Sequence, residues 1–320
     1  MNEMGMPIAG IDYPRTFEEF DKWFADEELC RNYLYRLRWP QEYRCLRCNS
    51  DGPPWVTSRG YLHCCSCQKE VSITAGTIFE RTRTPLRVWF LAIWFVTSQK
   101  DGASALGLQR VLGLGSYQTA WTWLHKLRRA MVRPGRNQLN GCIEVDETYV
   151  GGTEKGGKRG RGAEKKEIVV IAIEVYKPKG FGRVRMRRIP DASSESLVPF
   201  VNDVVEKDSI VVTDGWRGYD RLSKNGYKHN IKYLNDSGDP AHVILPGPHR
   251  IAGLLKRWLL STHQGAVVGD HLDYYLDEYT FRFNRRKSKS RGLLFYRLME
   301  QAVSTTPSRY RDIVNGKHNI

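Results

Sequence analysis

No apolar run in this chain is long enough to cross a bilayer. The most hydrophobic stretch, residues 86–97, spans about 12 residues where a membrane helix needs about 20, so it predicts a buried helix instead. The opening MNEMGMPIAGIDYP lacks a basic region followed by an apolar one, and no secretory leader is expected. Acid is short against base: 35 Asp and Glu face 50 Lys and Arg, leaving a net charge of +15. That excess fits a polyanionic partner, because each phosphate neutralised releases condensed counterions. A basic protein whose charge serves only solubility is the plainer alternative. Acid is missing altogether between Asp239 and Asp270. The seven cysteines are an odd number, which excludes complete disulfide pairing. Four of them form two Cys-x-x-Cys pairs, favouring metal binding in a reducing compartment, and a cytoplasmic protein is the expectation.

With 320 residues the chain can bury at least one sizeable core and carry two or three domains. Aromatic and acidic residues at helical spacing predict one or two short helices over 14–39. Cysteines, glycines, prolines and short β-prone runs mark a second region, 40–82. Helical periodicity returns at Pro85, a residue suited to a first turn, and a helical region over 83–132 follows. A polar linker, residues 133–140, precedes a third region over 141–303, with a tail at 304–320. There, β-prone runs at 142–150, 167–176 and 183–189 come in series. A helix near 194–206, strands near 209–213 and 227–234, and helices at 249–261, 270–284 and 291–303 complete it. This order predicts a mixed α/β sheet with helices on its faces, in a multi-domain α+β chain. No internal repeat is visible. The low-complexity stretch 151–166, GGTEKGGKRGRGAEKK, reads equally as a solvated insertion or as a DNA-backbone contact.

Fifteen residues separate Cys45 and Cys48 from Cys64 and Cys67. Each pair can form a knuckle with both thiolates pointing one way, and two knuckles complete a tetrahedral Zn²⁺ site. Four protein ligands leave no open position, so such a zinc ribbon is structural. Cys65 is a passenger beside Cys64, His63 is a possible substitute ligand, and Cys30 and Cys142 read as ordinary buried cysteines. Arg44, Arg47, Arg59 and Lys69 suit either phosphate contact or plain solvent.

Residues 103–131 place apolar side chains at helical spacing on both sides of Gly113-Leu114-Gly115. Ser116 is a good N-cap for the second helix, which presents Tyr117, Gln118, Thr119 and Trp123 near its start. In a helix-turn-helix, residues there read base edges, and Gln118 and Thr119 suit that task, with Lys126, Arg128 and Arg129 following for DNA contact. Helical hairpins of this length are also common in proteins that never meet DNA.

Two segments carry carboxylates in strand contexts. In CIEVDETYVGG, Asp146 lies within an apolar strand; in SIVVTDGWRGY, Asp214 ends one. Strand ends facing a crevice are where such sheets place functional groups. Two carboxylates on neighbouring strands bind hard cations such as Mg²⁺ or Mn²⁺, and a pair of ions can activate a water or a 3′-hydroxyl for phosphoryl transfer. Either Asp taken alone reads as well as a turn or cap residue. Glu147 points away from Asp146 on a regular strand.

These segments resemble those of bacterial insertion-sequence transposases of the DDE type, in the group with an N-terminal zinc ribbon. VDETYVGG is similar to that family's first-carboxylate motif, TDGWRGY to its second, and HRIAGLLKRWLLSTHQGAVVGDHLDYYLDEYTFRFNRR to the segment supplying its third catalytic position. SITAGTIFERTRTPLRVWFLAIWF resembles the join between ribbon and helix-turn-helix. The resemblance covers most of residues 40–290. It implies an RNase H-like catalytic domain, Mg²⁺ or Mn²⁺, and strand transfer of double-stranded DNA at the terminal inverted repeats. It also implies a homo-oligomer on paired ends and a nucleoid-associated protein of a prokaryote. Carried over, Asp146 and Asp214 are the first two metal ligands. The third position falls on His249, by its spacing before Lys256, and this departs from the plain DDE pattern. Neutral histidine is a common ligand, better matched to Mn²⁺ or Zn²⁺ than to Mg²⁺; a surface histidine opening a helix is the alternative. Lys256, two helical turns on, is placed to reach a phosphate, and Asn284, Arg285 and Arg286 to hold DNA backbone. Asp273, Asp277 and Glu278 read as a solvated face. The non-acidic third position also motivates a second expectation, a DNA-binding regulator that kept the fold and lost the chemistry. A third, a nuclease that cuts without joining, is disfavoured by the ribbon and the helical hairpin.

Overall fold

The computed structural model describes residues 6–133, 135–151, 166–176, 178, 180–233, 241–263 and 269–316. The chain divides into two compact units, 1–133 with 288–315, and 134–287 with 316–320.

The first unit opens with α1 (Phe17–Trp23) and α2 (Glu27–Arg38). Their caps follow the sequence: Thr16 accepts from the Glu19 N–H, and Asp26 from that of Leu29. Three two-residue strands, β1 (Trp55–Val56), β2 (Leu62–His63) and β3 (Glu70–Val71), form a small antiparallel sheet. Next come α3 (Leu86–Ser98), α4 (Ala105–Leu112) and α5 (Tyr117–Ala130). α3 is the apolar run noted in the sequence, and it is the centre of this unit. Phe90 and Trp94 on α3 meet Phe20, Phe24 and Tyr33, with ring centroids 4.9 Å apart for Phe24–Phe90 and for Phe20–Trp94. Among the described residues no helix is long and apolar enough to cross a membrane.

One expected boundary is overturned here. Sequence order puts the helix at Arg291–Ser304 with the sheet region, yet it belongs to the first unit. Phe295 explains why: it is fully buried and sits 5.5 Å from Phe20 and 5.7 Å from Phe24, centroid to centroid. A short helix at Tyr310–Val314 follows in the same unit, anchored by fully buried Ile313.

The second unit is a five-stranded sheet of β4 (Cys142–Val150), β5 (Glu167–Val175), β6 (Phe181–Ile189), β7 (Ile210–Thr213) and β8 (Lys228–Ile231). Its spatial order is β6-β5-β4-β7-β8: β4, β5 and β6 run as an antiparallel meander, while β7 joins β4 and β8 joins β7 in parallel. α6 (Ser194–Val204) covers one face, packing Leu197, Phe200 and Val201 on Ile143, Val145, Val170 and Ala172. After α7 (Ala241–Ile244), α8 (Pro246–His263) and α9 (Gly269–Asn284) cover the other face. They pack Ile251, Leu255, Leu272 and Leu276 on Val169, Ile171 and Ile173. Burial on both faces explains why β5 reads as the unbroken run IVVIAI and not as an alternation. The helices at Arg291–Ser304 and Tyr310–Val314 are α10 and α11 in chain order. Most of the stretch 151–166 lies outside the described residues.

Candidate functional site

The ribbon closes as the spacing predicts. Asn49 N–H donates to the Cys45 carbonyl and Gln68 N–H to that of Cys64, so the two knuckles repeat one backbone design. Asn49 and Gln68 take left-handed backbone, φ 57° and 58°, to turn each knuckle. Sγ of Cys45 lies 3.8 Å from that of Cys67, and Cys48 lies 3.6 Å from Cys64. A tetrahedron with Zn–S bonds of about 2.3 Å places its sulfurs about 3.8 Å apart, so this donor set fits a structural zinc ion. The Cys67 backbone N–H, then the Ser50 hydroxyl, hold the Cys64 thiol down at about 5, favouring thiolate. His63 is no ligand: its ring nitrogen bonds Gln68 at 2.9 Å and Trp55 lies over it. Cys65 is exposed outside the cluster, Cys30 is buried, and Cys142 is half-buried where full burial was expected.

The second group of interest is on the sheet. β4 turns Glu144 and Asp146 toward the face that α8 covers. His249, in the first turn of α8, brings Nε2 to 3.6 Å from Asp146 Oδ2. Asp146 is 17% exposed and His249 38%, a partly open pair that solvent or substrate can reach. β7 pairs Glu144 with Val212 in parallel register, and continuing that register sets Asp214 level with Asp146. Asp214 is steadied by the Trp216 N–H, which donates to Oδ1 at 3.0 Å. Among the described residues, only the cysteine cluster gathers three or more metal-ligating atoms all within 4.8 Å of one another. Asp146 and His249 pair, the register puts Asp214 level with Asp146, and the three do not close such a group.

Three supporting residues went unremarked in the sequence. Glu144, 5% exposed, accepts the Gly247 N–H at 2.8 Å and so pins the start of α8 two residues before His249. Burial raises its pKa, against the Gly247 bond and nearby Lys232. Gly247 is itself required: a Cβ there would meet Ile173 Cγ2 at 2.7 Å and Glu144 Oε2 at 2.8 Å. On the opposite face Tyr219, fully buried, donates to Glu147 Oε2 at 3.0 Å. Burial first, and then Glu147, raise that hydroxyl's pKa well above its usual value. The signal for Glu144 and Glu147 was present in the sequence as acids inside an apolar strand. Nothing local announced that Tyr219 would reach Glu147 across 72 positions. Lys256 lies on the exposed side of α8, its pKa lowered by packed surroundings and by Lys166.

The hairpin keeps the expected design. Ser116 caps α5, accepting from the Thr119 N–H at 3.1 Å, and Gly113 ends α4 in left-handed backbone at φ 61°. Gln118 is exposed and Thr119 half-buried. The other expected contacts are occupied inside the protein. Trp123 is 5% exposed and stacks on Trp89 at 3.6 Å. Lys126 bonds the Ile78 carbonyl at 3.4 Å, and burial lowers its pKa. Arg128 is 2% exposed, which removes it from any phosphate, and Arg129 holds Thr306 and Ser308. Residues 284–286, expected to hold DNA backbone, also make bonds within the protein. Asn284 bonds both backbone groups of Val184 on the edge strand β6, at 2.8 and 3.1 Å. Arg286 donates to the carbonyls of Phe181 and Gly182 and lies over Phe283, while Arg285 lies over Phe281 at 4.0 Å. Glu278 is not on a solvated face either: it is 1% exposed and paired with Arg282 at 2.7 Å, and Asp273 pairs with Arg188 at 3.2 Å.

Two stretches of the chain match known domain families. Residues 138–284 match the ISXO2-like transposase domain, and residues 25–70 match a transposase zinc-ribbon domain. Together these take in more than half of the chain. An uncharacterized protein in the transposable element ISH50 of Halobacterium salinarum is 29% identical over 282 residues, covering 82% of this chain and 92% of that relative. An uncharacterized transposase-like protein of Haemophilus influenzae is 28% identical over 116 residues, covering 36% of this chain and 92% of its own length.

Proposed function

Because this chain belongs to the insertion-sequence transposases that carry an N-terminal zinc ribbon, we propose that it binds the terminal inverted repeats of its element and catalyses metal-dependent DNA cleavage and strand transfer. The observation that carries this reading is the approach of His249 to Asp146, with Asp214 level on the neighbouring strand. An RNase H-like domain is supported by the sheet: an antiparallel meander of three strands extended in parallel by two more. A helix-turn-helix is supported by the capped hairpin of α4 and α5, with Gln118 exposed at the first turn.

Bound Mg²⁺ or Mn²⁺ would supply charge to polarise the phosphodiester and to activate the attacking water or 3′-hydroxyl. The chain's own part is positioning. Asp146 and Asp214 offer carboxylate oxygens from adjacent strands, and His249 offers a ring nitrogen from the helix crossing Asp146. Glu144 fixes where that helix starts. Glu147 and Tyr219 brace β4 from the other face. Lys256, two turns along α8 from His249, is placed to neutralise a flanking phosphate.

The test is a cleavage and strand-transfer assay on the element's ends with Mg²⁺ or Mn²⁺, comparing wild type with Asp146→Ala, Asp214→Ala and His249→Ala. Loss of activity in all three, with end binding retained, is the expected result. Tight end binding by wild type without cleavage in either metal would leave the non-catalytic regulator.

A further inference from the structure

Segment 305–314 belongs to the same compact unit as the helical hairpin, although Thr306 lies 177 positions from Arg129 in sequence. Arg129 on α5 donates to the Thr306 carbonyl at 3.2 Å and to its hydroxyl at 2.8 Å, and also bonds Ser308. Ile313, fully buried, anchors α11. The segment is therefore held, and what it displays is held with it. Tyr310 is displayed, 46% exposed, with its ring 6.2 Å from that of Trp121.

Tyr310 forms one wall of a pocket of about 270 Å³ at the first turns of α5. Ser116, Gln118 and Thr119 edge it, and Trp123 and Lys126 line its inner side. Its floor is rigid, because Trp123 is stacked on fully buried Trp89. The pocket thus combines an apolar floor, an aromatic wall and a rim bearing an amide and hydroxyls. Arg309 and Arg311 flank Tyr310, and both are exposed. Amide and hydroxyl groups read base edges in the major groove, and apolar surface contacts the thymine methyl there. Exposed arginines beside them meet phosphates.

We propose that segment 305–314 is part of the DNA-reading surface: Tyr310 meets a thymine methyl beside the base edges read by Gln118 and Thr119, while Arg309 and Arg311 take neighbouring phosphates. The inference rests on the DNA-binding reading of the hairpin and extends it to a part of the chain that follows the catalytic unit in sequence. It also explains why Arg129 is spent on Thr306 and not on DNA: it carries the second wall.

The experiment measures binding of the full chain to duplex element ends across a salt series, beside a scrambled duplex. Tyr310→Ala should weaken end binding roughly tenfold, as the loss of one good base contact does, and Tyr310→Phe should restore it. Replacing thymine by uracil at the positions that wild type protects should weaken wild type and leave Tyr310→Ala unchanged. The Arg309→Ala/Arg311→Ala double variant should bind less tightly to both duplexes and lower the salt slope by about 0.9 for each phosphate lost. Wild-type affinity and slope in all these variants would overturn the inference while leaving the hairpin's own role intact. Failure of wild type to prefer the ends over the scrambled duplex would overturn the DNA-binding reading beneath it.

Discussion

The cysteine cluster that fits zinc and the acidic group proposed to hold a catalytic ion are built on opposite plans. The ribbon draws its four ligands from Cys45 to Cys67, on two knuckles that copy one another, and nothing outside that short segment is required to complete it. The acidic site draws Asp146 from a strand, Asp214 from the end of its parallel neighbour and His249 from a helix 103 positions downstream of Asp146 by the numbering. The ribbon is closed by protein on all four corners, as suits an ion that holds a fold together. The acidic group is partly open, as the proposed contact with substrate requires. One is specified by spacing, the other by topology.

The largest effect should come from the closed site. Cys64→Ser, or treatment with a strong chelator, should abolish zinc binding, worth about 10–16 kcal/mol in small structural zinc domains. Amide hydrogen exchange should then rise throughout residues 43–71 while β4, β5 and β6 keep their protection. Protection retained in the ribbon after the metal is gone would erase the contrast between the two plans.

The open site should respond in chemistry and not in folding. Asp146→Ala or Asp214→Ala should lower the cleavage rate at least about 10³-fold, about 4 kcal/mol of transition-state stabilisation. End affinity and the melting of the sheet unit should change little, since both side chains are partly exposed. A fall in end binding equal to the fall in rate would make these residues structural, like the cysteines.

Between these lies the support of the open site. Gly247→Ala forces a methyl into Ile173 and Glu144, and overpacking of this kind costs about 1–3 kcal/mol. The loss should appear in hydrogen exchange of β4, and cleavage should fall more than stability does, because the start of α8 carries His249. A variant with unchanged β4 exchange and unchanged rate would show that α8 is set by its apolar face alone.

These contrasts also explain what the sequence disclosed. Two Cys-x-x-Cys pairs name their ligands directly because a knuckle is a local object. Strands, caps and the Gly113 turn were legible for the same reason: periodicity and capping act over a few residues. Partnership across the chain was not. Asn284, Arg285 and Arg286 look like a basic helix end in one dimension, but in three Asn284 and Arg286 bond the backbone of the edge strand β6, where unpaired groups need covering, and Arg285 packs on Phe281 in α9. Arg128 and Arg129 follow a recognition-like helix start, yet one is buried and the other is bound to a segment 177 positions away. Phe295 likewise sent α10 to the first unit, where sequence order pointed to the second. Charge type was readable throughout; the surface on which each charge is used depends on long-range packing.

The smallest and sharpest change is His249→Asp, which completes the three acids that the resemblance to DDE transposases implies. Imidazole suits Mn²⁺ better than Mg²⁺, whereas Mg²⁺ prefers oxygen. If His249 is the third ligand, the substitution should raise Mg²⁺-supported cleavage relative to Mn²⁺-supported cleavage by roughly tenfold, about 1.4 kcal/mol. The helix start should tolerate the change, because Glu144 and Gly247 hold it independently of the side chain at 249. His249→Gln supplies the control: it keeps a polar side chain near Asp146 without a ring nitrogen or a new acid, and should lower cleavage in both metals alike. An unchanged metal ratio in His249→Asp, with cleavage intact, would demote His249 from ligand to neighbour. The open site would then rest on its two carboxylates, and the 3.6 Å approach to Asp146 would be a contact of packing.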